Sequence, residues 1–202
     1  MRAIVLVATL IGAMGFQVLA ADDVGKRISG PQVGDTLPSL KARGVLDDEA
    51  GKEFDVVTAA EGRPVVLFFI HEVTRPSVNL SRLVLNYAAS RRADGLHSGL
   101  IFVTADSAET ENWLQRASAV LSRGVPTGIA PGGADGPPGY GLHRQVQVTV
   151  IVAKGNKVTS NFASVQPTPD VDAPKIAEAI AAAVGGKPPT LEELQRLSGV
   201  TR

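Results

Sequence analysis

The sequence predicts an α/β domain in which a mixed β-sheet carries helices on both faces. Three observations lead there. The run from Pro64 to Ile70 is apolar on successive residues, as in a strand buried on both sides, and an apolar stripe at helical spacing follows it. A second strand-then-helix unit starts at Leu100 to Ala105. Finally, Val146, Val148, Val150 and Val152 alternate along one segment, which turns at Lys154-Gly155-Asn156-Lys157 and returns from Val158. Strands that alternate with helices pair in parallel and a hairpin pairs antiparallel, so the sheet is mixed.

The ordered domain is expected over residues 33–186, opening with Val33-Gly34-Asp35-Thr36-Leu37-Pro38. Lys41 to Leu46 and Lys52 to Val57 are short strand candidates around the polar turn at residues 47–51, an N-terminal hairpin. After the central strand, Leu80, Leu83, Val84, Tyr87 and Ala88 recur at helical spacing. Thr74 suits the N-cap of that helix, and Pro76 suits its first turn, where a missing N–H costs nothing. Asp106 or Ser107 caps the next helix, with Trp113, Leu114, Ala117, Val120 and Leu121 facing inward. The glycine- and proline-rich stretch Arg123 to Leu142 is too broken for helix or strand and reads as a long loop. Asp172 is expected to cap a last domain helix, with Ile176, Ala177, Ile180 and Val184 inward and Gly185-Gly186 at its end. Thr190 and Glu193 form a capping box for a C-terminal helical extension over 187–202.

Composition removes several functions. The 202 residues carry 20 basic and 20 acidic side chains, and no net charge draws the chain to nucleic acid or an anionic membrane. There is no cysteine, which excludes thiol catalysis, thiolate metal sites and disulfides. The first 20 residues read as a secretory signal peptide, with Arg2, an apolar stretch and Val18-Leu19-Ala20 before a cut, followed by a flexible leader over 21–32. The rival reading is an uncleaved membrane anchor. Cleavage implies a secreted or periplasmic protein with no membrane span left after it.

Three segments in order, Val33-Gly34-Asp35-Thr36-Leu37-Pro38, Gly62-Arg63-Pro64-Val65-Val66-Leu67-Phe68-Phe69 and Tyr140-Gly141-Leu142, resemble the thioredoxin-like superfamily in its redoxin branch, which holds peroxiredoxin-like and thiol-disulfide exchange proteins. The resemblance implies a thioredoxin-like fold with its active site at the start of the first long helix. There Val73-Thr74-Arg75-Pro76-Ser77 stands where such proteins carry Trp-Cys-x-Pro-Cys, so the proline is kept and both thiols are replaced. The family's opposing cis-proline loop falls at Gln145, Val146 and Gln147, where there is no proline, and Val125-Pro126-Thr127 lies on the wrong side of the long loop to replace it. These departures imply a fold without thiol exchange, one that binds a peptide or protein partner through the old groove.

The degenerate positions Thr74, Arg75, Pro76 and Ser77 are therefore expected to be non-catalytic, and His71, Val73, Arg75, Tyr140, His143, Gln145 and Gln147 to form a binding rim. In it Val73, Pro76 and Tyr140 make an apolar floor, Gln145 and Gln147 supply amides, and Arg75 favours an acidic partner. Ser77 as a nucleophile with His71 as its base is the sharper alternative, against plain helix capping. A metal held by His71, Glu72 and His143 is another, although the pair His71-Glu72 lacks the second histidine of a zinc-protease motif. A third is a structural domain with a vestigial groove. No cofactor or metal is expected.

Overall fold

The computed structural model describes residues 27–199. The expected signal peptide, residues 21–26 of the expected leader and residues 200–202 of the expected C-terminal extension lie outside them. Seven strands form one sheet in the order β2-β1-β5-β4-β3-β6-β7. They are β1 (Lys41–Gly44), β2 (Glu53–Asp55), β3 (Val65–Ile70), β4 (His97–Phe102), β5 (Thr127–Ile129), β6 (Val148–Lys154) and β7 (Lys157–Ser164). The helices are α1 (Val56–Ala60), α2 (Arg75–Ser90), α3 (Ser107–Ala117), α4 (Pro169–Val184) and α5 (Leu191–Ser198). β3 runs parallel to β4 and antiparallel to β6, and β4 runs parallel to β5. The sheet is therefore mixed as expected.

Strand periodicity divides the core in two. Val66, Phe68 and Ile70 of β3, with Leu100 and Phe102 of β4 and Val148, Val150 and Val152 of β6, pack beneath α2, α3, α4 and α5. Val65, Leu67 and Phe69 point the other way, with Ile101, Val103 and Ile151, and are covered by α1 and by the loops carrying Leu37, Leu40, Ala130 and Tyr140. Both faces carry helix, very unequally. Phe68 and Phe69 are fully buried on opposite sides of one strand. Each contributes about 1.5–3 kcal/mol by leaving water.

Several boundaries differ from expectation. The second strand of the hairpin stops at Asp55, because its carboxylate accepts from the Val57 and Thr58 N–H groups and starts α1 there. The glycine-rich loop contains a strand after all. β5 is three residues long and is held by partners on both sides, with Gly44 opposite Gly128 and Leu100 opposite Thr127. A Cβ on Gly128 would sit 2.4 Å from the Arg43 carbonyl oxygen, so only glycine lets the two strands close. α3 ends at Ala117, leaving Val120 45% exposed, not inward.

The N-cap of α4 is Thr168, not Asp172. Asp172 lies within the first turns and reaches back, its carboxylate accepting from the Thr168 N–H at 2.7 Å. The leader does not stay loose up to residue 32. Ser29, Gly30 and Pro31 are buried, and the Asn161 amide donates to the Ser29 and Pro31 carbonyls. The Thr190–Glu193 capping box is present, and α5 is integral to the domain: Leu194 is fully buried in the helical core and the Arg82 guanidinium donates to the Ser198 carbonyl.

Candidate functional site

The start of α2 is fixed by a reciprocal cap. The Ser77 N–H donates to Thr74 Oγ1 at 3.2 Å and the Thr74 N–H donates to Ser77 Oγ at 2.9 Å. Ser77 is fully buried, and its hydroxyl faces the Glu72 carbonyl at 2.8 Å and the Thr74 carbonyl at 2.9 Å. A serine so engaged, with no imidazole beside it, is a cap and not a nucleophile. This removes Ser77 from any catalytic set with His71 and His143. The cap is also stitched to the sheet, because Thr74 Oγ1 lies 3.2 Å from Gln147 Oε1 and the Gln147 carbonyl accepts from the His71 N–H at 2.9 Å.

Outside this cap lies a groove of about 740 Å³ between α2 and α3, reaching the start of α4. Val73, Pro76, Val78, Trp113, Val120 and Pro169 give it apolar walls, and Arg75, Asn79 and Arg82 line it on the α2 side. Val73 is 43% exposed there. Trp113 stacks obliquely on Phe102, with ring centroids 5.8 Å apart, which fixes one wall to the sheet. A second hollow of about 410 Å³, lined by His71, Glu72, Thr104 and Glu109 among others, shares Val73 and Trp113 with the first. No carboxylate among the described residues pairs with Arg75.

His71 also borders the second hollow, but its ring, like His143, belongs to the face opposite α2. Thr149 pairs with Phe69 across β3 and β6 and is fully buried. Its hydroxyl lies 3.0 Å from His71 Nε2 and 2.7 Å from the buried Ser29 hydroxyl, which in turn accepts from the His143 N–H at 3.0 Å. With the His143 N–H donated to Ser29, one arrangement of the chain gives every hydroxyl proton an acceptor. Ser29 accepts from His143 and donates to Thr149, Thr149 donates to His71, and His71 Nε2 must accept, so its proton sits on Nδ1. A charged imidazole would reverse Thr149 and leave the buried Ser29 hydroxyl without an acceptor. Burial, and then the nearby His143, hold the His71 pKa at about 4. Among the described residues no three His, Asp or Glu side chains cluster as metal ligands.

The expected rim is therefore split. Val73 and Arg75 line the groove, and Gln147 braces the cap. Tyr140 is not part of it: it is buried against Phe69, donates from its hydroxyl to the Pro38 carbonyl at 2.8 Å, and belongs to the other core. His71 and His143 serve the Thr149–Ser29 chain. The loop before β6 offers no free backbone donor at the expected positions. Gln145 N–H goes to His143 Nδ1, Val146 N–H to the His143 carbonyl and Gln147 N–H to the Ser164 carbonyl. What sequence reasoning missed is Trp113, Val120 and Pro169 as groove walls. The one signal available was that Trp113 is the chain's sole tryptophan.

No protein-family model matches the chain, and no curated protein does. Solved structures do. A candidate DsbE thiol:disulfide interchange protein from Chlorobium tepidum superimposes with a TM-score of 0.60 at 19% identity, over 76% of this chain and 99% of its own. Peroxidoxin BcpB from Mycobacterium tuberculosis gives 0.52 at 17% identity, over 75% and 97%. A thiol:disulfide interchange protein of the thioredoxin family from Chlorobium tepidum gives 0.50 at 16%, over 77% and 99%. The fold is thioredoxin-like, and here it carries no cysteine at all.

Proposed function

We propose that this is an exported thioredoxin-like domain that works without redox chemistry, as a peptide- or protein-binding module of the cell envelope. The observation that carries this reading is the groove at the start of α2. It has exposed apolar walls at Val73 and Val120, a tryptophan anchored to the sheet, and two arginines at its side. An apolar cleft with a few placed polar groups suits an extended segment with apolar side chains, and Arg75 favours an acidic group within it. The docking contacts come from side chains, because the backbone donors before β6 are already engaged. The apolar leader of residues 1–20 supports export.

The test is capture from an envelope fraction with the domain from residue 27 onward as bait, beside a Val73→Asp variant. A partner held by the parent and lost by the variant supports the reading. A protein profile identical on both baits refutes it.

A further inference from the structure

The opposite end of the sheet holds a further cavity, of about 490 Å³. It arises from a mismatch in strand length. β5 begins at Thr127, opposite Leu100, so the first residues of β4, His97 to Gly99, have no strand beside them on that edge. Arg63, Arg92, His97 and Ser98 line the gap. Both guanidinium groups are held in place by backbone carbonyls, Arg63 by Ala59 and Ala60 and Arg92 by Gly124. Neither forms an ion pair among the described residues.

Two acids share the wall, Glu49 and Asp55. Asp55 is already engaged, since its carboxylate accepts from the N–H groups of Leu40, Val57 and Thr58 and from the Thr58 hydroxyl. The wall thus carries two carboxylates and two guanidinium groups. The Asp55 oxygens are taken up by the fold, while both guanidinium groups are free of ion pairs among the described residues. Burial, and then Arg63 and Arg92, keep the His97 imidazole below its ordinary pKa, with Glu61 acting against them. Ser98 adds a hydroxyl to the wall. It is only 8% exposed, and its hydroxyl has no hydrogen-bond partner among the described residues. Its oxygen is not sealed from solvent, so the hydroxyl is free to donate to a molecule in the cavity.

We propose that this cavity binds the oxyanion of a small organic acid, a carboxylate or phosphate group held by Arg63, Arg92 and Ser98. Fixed guanidinium groups match both anions, and Phe54, Leu96 and Pro126 give the rest of the molecule an apolar wall. The site is separate from the groove beside α2 and does not depend on it.

His97 is the reporter. Its ring resonances are followed by NMR at neutral pH while inorganic phosphate, acetate or sodium chloride is added at matched ionic strength. A saturable shift with phosphate alone supports a phosphate-bearing ligand, and one with both phosphate and acetate a site that also takes carboxylates. The Arg92→Gln variant should lose the saturable shift. Ser98→Ala should weaken binding roughly tenfold, the worth of one hydrogen bond to a charged group. It should leave the melting temperature unchanged, because the hydroxyl supports nothing in the fold. A drift equal to that with chloride, or titrations unchanged in both variants, overturns the proposal.

Discussion

Acid should destabilise this domain through His71 in a defined window. The imidazole is neutral in the fold, with its pKa lowered from 6.5 to about 4 by burial and by His143. The unfolded chain, with an ordinary histidine, takes up the proton first as pH falls. Stability contributed by the neutral, buried form is thus complete above pH 6.5 and is lost progressively down to about pH 4. At about 1.4 kcal/mol per pH unit the full loss is about 3 kcal/mol, a large share of a typical domain's stability. Other groups add acid slopes of their own, so the comparison is with His71→Gln, whose amide oxygen accepts the same Thr149 hydroxyl. Urea denaturation across pH 7 to 4 should show the parent losing about 3 kcal/mol more than the variant. Parallel curves would refute the reasoning, since the buried chain through Thr149 and Ser29 would then tolerate a charged imidazole.

Two further outcomes follow from local geometry. Thr74→Cys with Ser77→Cys should close a disulfide on mild oxidation, because the two hydroxyl oxygens already lie 3.1 Å apart. Its reduced form should be less stable than the parent by about 0.5–2 kcal/mol for loss of the cap, and failure to close, read by mass and thiol titration, would show that the two positions do not face each other. Gly128→Ala should cost at least about 1–3 kcal/mol in chemical denaturation, since the new methyl meets the Arg43 backbone and no rotamer relieves it. A neutral result would mean that β1 does not close on β5.

The parts legible in the sequence are those set by local chemistry. Val65 to Ile70 announces a central strand because six apolar residues in a row have few other places to go, and Thr74 with Ser77 announces a helix cap through its spacing alone. β5 was hidden because three residues centred on Gly128, with Pro126 before them and Pro131 soon after, carry no strand signal, and β1 and β4 impose the conformation on them. The site was half legible for the same reason. Its α2 wall is read from one helix start, whereas Trp113, Val120 and Pro169 arrive from two other segments that only the packed core brings alongside. Tyr140 was misplaced because its position after a long loop says nothing about which face of the sheet the loop returns to. Thr149 was legible in principle, a hydroxyl in the otherwise apolar run Val148 to Ala153, but its partner Ser29 lies 120 residues away.

The central claim is that the α2–α3 groove, and not thiol chemistry, is what this fold retains. Its most direct test is the dissociation constant of the captured partner for the parent and for a Val73→Asp, Val120→Asp double variant. Both side chains are more than 40% exposed, so the substitutions leave the core alone. Two carboxylates placed in the apolar walls should weaken binding at least tenfold, the loss expected when about 1.4 kcal/mol or more of apolar contact is replaced by buried charge. Equal affinity for parent and variant, with both folded, would contradict the account.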